Sequence, residues 1–246
     1  MRLFFTIVMC ACVLASLAAR SQELLVLTEE FKPYQYKDEN GRPTGFMVEV
    51  MDTIFANAGI GMEGGAVSIE TWATAYDTLL NTDNAAAFMT VRTTDREKLL
   101  KWVGPLAPRE MWLYKLRKRD DIQAETLDDA KAYRIGGYRS AQTDYLIELG
   151  FPNVDIAPQE QMNVTRLLGG EVDMVPSLEL MMSQRLKDLG ASDDTVEAVI
   201  LLDGRFDYYL AVNPHVPDDV VGRLQAALDQ AKRDGTFDSL KAKYIH

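Results

Sequence analysis

The sequence predicts an α/β protein built from two similar units. Three observations carry this reading. Short apolar runs alternate with segments of helical period from Leu24 to Leu189. Most of the helical segments stop at a glycine. Two further strand-like runs, 111–115 and 206–212, stand apart as candidate crossings of a discontinuous domain. Strand–helix alternation of this kind gives parallel sheets covered on both faces.

The first unit opens with a strand at 24–27, Leu-Leu-Val-Leu. A loop over 28–42 holds Pro33 and the turn Asn40-Gly41. A helix from about 44 puts Met47, Val50, Met51, Ile54, Phe55 and Ala58 on one face, and Gly59 is a natural C-cap. A strand at 66–69, a helix at 71–80 and a strand at 85–90 follow. The second unit repeats the rhythm: strand 133–136, helix 141–149, strand 154–156, helix 161–168, strand 172–175, helix 178–189. The tail adds a helix over 217–232 with Asp218 and Asp219 in its first turn, where negative charge is favoured. Gly235 ends that helix, and Thr236 caps a short last one.

Composition narrows the function. The 246 residues are 47% hydrophobic and 26% charged, enough for a sizeable core. A formal net charge of −11 argues against nucleic-acid binding, which needs a basic surface. A local cationic pocket remains compatible with it. Arg2, the uncharged run 3–17 and the small residues around Ala18 read as a secretory signal over 1–19. Cys10 and Cys12 both fall inside it, so the mature chain carries no disulfide. Two histidines, His215 and His246, make a histidine metal site or triad improbable, and no cofactor or metal is expected.

Four stretches carry a resemblance. They are Phe31-Lys-Pro-Tyr34 with Gly45-Phe46; Arg92-Thr-Thr-Asp-Arg96-Glu-Lys with Lys101-Trp-Val-Gly-Pro105; Gly169-Gly-Glu-Val-Asp173; and Tyr208-Tyr-Leu-Ala with Asp234-Gly-Thr-Phe. In order and spacing the chain resembles the bacterial extracellular solute-binding proteins of family 3, typified by amino-acid receptors of ABC transporters. The resemblance implies a type II periplasmic binding protein fold: two α/β lobes, two crossing strands as hinge, and the ligand in the cleft. The first lobe is then 20–108 with 211–246, and the second is 109–210 with the hinge strands. It also implies a periplasmic monomer that binds a small solute and meets an inner-membrane permease or receptor.

The residues suit that expectation. Arg96 matches the family's carboxylate-binding arginine, and its planar fork of donors pairs both carboxylate oxygens. Arg92 is either a second cleft cation or a partner within its lobe. Thr90 and Thr93 stand at the end of the third strand, where open α/β sheets bind ligands; Thr93 alternatively caps a helix. Phe31 and Tyr34 fall where the family sets aromatic residues over the ligand, with core packing as the alternative. Trp72 opens a helix and is a candidate cleft wall. In the second lobe Ser140, Ala141 and Gln142 start a helix whose free amides suit an anion. The family's ammonium-binding aspartate is replaced by Leu178, with Glu179 beside it, and an expected hydroxyl by Val91. These departures favour a carboxylate over an α-amino acid specifically. The rival readings are an enzyme like the cyclohexadienyl dehydratases, with Glu179 or Asp173 as acid or base, and a solute-sensing accessory protein.

Overall fold

The computed structural model describes residues 23–138, 141–159 and 161–244. The expected signal segment lies outside them.

The first lobe is a sheet in the order β4-β1-β6-β13-β7, with β5 also paired to β1. Its strands are β1 (Glu23–Glu29), β4 (Gly61–Met62), β5 (Ser68–Glu70), β6 (Ala85–Val91), β7 (Lys101–Pro108) and β13 (Asp207–Val212). A small hairpin of β2 (Tyr36–Lys37) and β3 (Pro43–Thr44) lies beside it. β1 runs parallel to β4, β5 and β6, whereas β13 is antiparallel to β6 and β7. Alternation along β1 and β6 divides the core. Leu24, Val26, Ala86 and Phe88 face one cluster, and Leu27, Ala85 and Ala87 face another. Helix α1 (Phe46–Ala58) buries Met47, Val50, Met51, Ile54 and Phe55 in the first cluster, the face that the sequence period announced. Helices α8 (Asp218–Arg233) and α9 (Thr236–Tyr244) pack against α1. Helix α2 (Trp72–Asn81) covers the other side through Ala75 and Leu79.

Thr71 caps α2: its hydroxyl accepts from the Thr74 amide at 3.3 Å. Thr71→Ala should lower stability by about 1 kcal/mol, a fall in melting midpoint of roughly 2–4 °C by calorimetry.

The second lobe holds β8 (Met111–Leu116) between β11 (Val175–Leu178) and β12 (Val196–Asp203), all antiparallel. β9 (Ile135–Tyr138) and β10 (Val154–Ala157) form a parallel pair. The bridge between Ile135 and Met174, with the Gly136 amide donating to the Met174 carbonyl at 2.8 Å, joins this pair to β11. The helices are α3 (Thr94–Glu97) in the first lobe, and α4 (Leu127–Ala130), α5 (Ala141–Glu148), α6 (Met162–Leu168) and α7 (Glu179–Asp188) in the second.

Several elements differ from expectation. The strand expected at 172–175 is β11, three residues later. Asp173 is occupied in a turn, where its carboxylate accepts from the Arg134 amide at 2.9 Å and from the Arg119 guanidinium at 3.2 Å. Leu178 is therefore the last residue of a strand, opposite Met111. The run 206–212, expected to cross between lobes, is β13, which pairs along its length with β6 and β7. Residues 207–210 so lie in the first sheet rather than in the second lobe. Strands β7 and β12 carry no counterpart in the sequence reading. The chain passes between sheets at 109–110 and at 204–206, and the Arg109 amide donates to the Phe206 carbonyl at 3.2 Å.

Candidate functional site

Where the passages join the lobes, an open cleft of about 670 Å³ is lined from both sides. The first lobe contributes Val91, Thr93 and Arg96; the second contributes Gln142 and Tyr145 of α5. Arg109, Asp203 and Arg205 form its hinge wall.

Arg96 is held before any ligand arrives. Its Nη1 donates to the Val91 carbonyl at 3.0 Å. Its guanidinium lies 4.8 Å from the Tyr76 ring centroid and 5.3 Å from that of Trp72. The two rings stack at 5.5 Å, as i and i+4 neighbours on α2. Among the described residues Arg96 has no ion-pair partner. A guanidinium carries five donors, so most of the fork remains open to an acceptor.

Arg92 does not join it. Its Nε and Nη2 each donate to Glu97 at 2.6 Å. The group lies over the Tyr209 ring at 5.1 Å and the Trp102 ring at 5.6 Å. The reason is local: the Arg92 amide still donates to Asp207, so Arg92 extends β6, while α3 starts only at Thr94. Helical four-residue spacing does not apply across that boundary. Thr90 is fully buried and its hydroxyl is spent on the Ala87 carbonyl at 3.0 Å. Thr93 heads α3 without a side-chain cap, and it lines the cleft.

The remaining candidates divide. Trp72 backs Arg96 and lines a separate depression with Glu29, Glu30 and Glu70 instead of walling the cleft. Phe31 stacks on Tyr34 at 5.1 Å and meets Tyr208 at 6.2 Å. Tyr34 is buried in a small cavity with Leu178 and Glu179. Burial, then Tyr208 and Glu179, pushes its phenol well above the ordinary range. Glu179 opens α7, exposed, and does not line the Arg96 cleft. Gln142 does line it; its amide donates to the Pro176 carbonyl at 3.3 Å. Ser140 and the side chain of Ala141 lie outside the described residues.

The sequence reading missed the hinge wall. Asp203 is 8% exposed. Its carboxylate accepts from Arg205 Nε at 2.8 Å and from Arg109 Nη1 at 3.2 Å. Burial works against its ionised form, but the bonds from Arg205 and the charges of both arginines hold the carboxyl below the usual range. Strands β7 and β12, had they been read, end just at these charged residues.

Residues 24–246 match the family model of bacterial extracellular solute-binding proteins, family 3. The chain belongs to this family. Its fold is that of the type II periplasmic binding proteins. It is similar to the probable amino-acid ABC transporter extracellular-binding protein ytmK of Bacillus subtilis, with TM-score 0.75, 18% identity, and coverage of 92% of this chain and 98% of that one. Substrate-binding domain 2 of GlnP from Lactococcus lactis, in its open conformation, gives TM-score 0.73 at 16% identity, over 92% and 96%. A histidine kinase sensor domain gives 0.66 at 18%, over 92% and 96%. No curated protein matches the chain. A solute-binding role for this family 3 protein follows from its membership.

Proposed function

We propose that this solute-binding protein captures a small carboxylate-bearing solute, an amino acid or a relative of one, between its lobes. The protein acts in the periplasm as a monomer and presents the solute to an ABC-type permease. One observation carries the reading: Arg96 faces an inter-lobe cleft with a pre-oriented guanidinium that has no ion-pair partner among the described residues. A ligand contacting both lobes favours the closed arrangement, because only that arrangement completes its contacts. The solute's α-ammonium, where it has one, finds no acid at Leu178, which is buried and apolar; the acids that line the cleft on α5 are Asp144 and Glu148.

We read the protein as a binder and not an enzyme. The acids considered for catalysis are committed or elsewhere. Asp173 pairs with Arg119 and Arg134, and Glu179 sits in another depression.

Native mass spectrometry of freshly purified protein, followed by a thermal-shift screen of amino acids, dicarboxylates and carboxylate-free solutes such as amines and sugars, tests the reading. A true ligand at 100 times its Kd should stabilise by about 2.7 kcal/mol, a shift of several degrees. Shifts confined to solutes without a carboxylate, or turnover of prephenate or arogenate, would sink the proposal.

A further inference from the structure

We propose that Asp203 and Arg205 are positioning residues that set the separation of the lobes and act on the cleft through Tyr145. The proposal rests on reading the Arg96 cleft as the solute site.

One buried carboxylate ties both inter-lobe passages together. Asp203 closes β12, just before the second passage; it accepts from Arg109 on the first passage at 3.2 Å and from Arg205 on the second at 2.8 Å. Arg205 then reaches the second lobe: its guanidinium lies 4.9 Å from the Tyr145 ring, on α5. Tyr145 follows Gln142 by nearly one helical turn, and both line the cleft. In the other direction the Arg109 amide donates to the Phe206 carbonyl at 3.2 Å, two residues before Tyr208, whose ring meets Phe31 in the first lobe. Contacts and one short stretch of backbone so link the first lobe, through the hinge, to the helix that walls the cleft.

The charges explain why this path controls geometry. Two guanidinium groups share one carboxylate, so the three groups carry one excess positive charge. Without the carboxylate, two like charges are left on the two neighbouring passages. Their repulsion is relieved by spreading the passages, and that turns one lobe against the other. Arg109 and Arg205 are thus committed to the hinge, and of the three arginines in the cleft Arg96 alone has no carboxylate partner among the described residues.

The test uses the ligand-free full chain in small-angle X-ray scattering. Asp203→Asn should enlarge the radius of gyration at about 0.01 M salt. The change should shrink toward the wild-type value at about 1 M, where the screening length falls from roughly 30 to 3 Å. Asp203→Glu, which keeps the charge, should match wild type at both. Arg205→Lys and Tyr145→Leu should each speed amide exchange of the 141–148 peptides by about tenfold, with β1 and β6 peptides unchanged. A wild-type radius for Asp203→Asn at both salts, or an expansion that salt leaves untouched, overturns the proposal. So does unchanged α5 exchange in Arg205→Lys, which covers the case in which Asp203→Asn does not fold. Solute binding by Arg96→Ala reports on the cleft separately, since neither scattering nor exchange depends on a solute.

Discussion

Arg96→Ala will reduce affinity for the carboxylate solute found by the screen about 100-fold, measured by titration calorimetry. A charge-assisted hydrogen bond contributes about 1.5–3 kcal/mol, and a bidentate pair at the upper end converts to roughly two decades in Kd. Pre-organisation strengthens the expectation. The guanidinium is already fixed by the Val91 carbonyl and the Trp72–Tyr76 stack, so little side-chain freedom is lost on binding. Arg96→Lys should lose about tenfold, because an ammonium keeps the charge but not the planar fork. Arg92→Ala should leave Kd within about twofold, since its group is spent on Glu97. An Arg96→Ala variant that binds like wild type, beside an Arg92→Ala variant that does not, would reverse the assignment.

Gly45→Ala will destabilise the protein more than any surface change of its size. Gly45 sits at φ 116°, a conformation that side chains rarely adopt, at the N-cap of α1. A Cβ there would lie 2.5 Å from the Tyr34 carbonyl oxygen and 2.9 Å from that of Pro33. Both atoms are backbone and cannot swing aside. They are also bound, the Tyr34 carbonyl accepting from the Met47 amide at 2.7 Å. Strain and overpacking each cost of order 1–3 kcal/mol, so about 3 kcal/mol or more is expected. That is roughly 6–12 °C in melting midpoint by calorimetry. Gly222→Ala is the contrast. It lies in α8 with open space around it and no positive φ, so it should stabilise by about 0.4–1 kcal/mol. A midpoint for Gly45→Ala within a degree of wild type would show that the 33–34 loop yields freely.

Periodicity announced the parts whose side chains face one way. The buried stripe of α1 and the alternating runs of β1 and β6 follow from it, because burial and sequence share one geometric cause. β7 escaped because Gly104-Pro105 interrupts its apolar pattern and it pairs on one side only, with β13. The place of β13 escaped for a different reason. A strand-like run shows that it will pair, and says nothing of which sheet supplies the partner. At the site, Arg96 was legible as a residue type at a spacing. That Arg92 points elsewhere depends on where extended backbone gives way to helix, a boundary of one or two residues. The Asp203 wall was illegible because its three charges meet only through pairing of strands nearly a hundred residues apart, as in the bond from Arg109.

The place of β13 also bears on how the chain acquires its structure. This strand lies between β6 and β7 near the middle of the first sheet, yet almost the whole second lobe precedes it in the chain. Pairs such as Ala86 with Val212 close loops of well over a hundred residues. The first lobe therefore cannot finish its sheet until 207–212 is available, whereas the second has all its strands by Asp203. Long-range pairing of this kind is slow to form. A chain emerging from its N-terminus should hold the first lobe incomplete and the second lobe ready, so the half that carries Arg96 matures last.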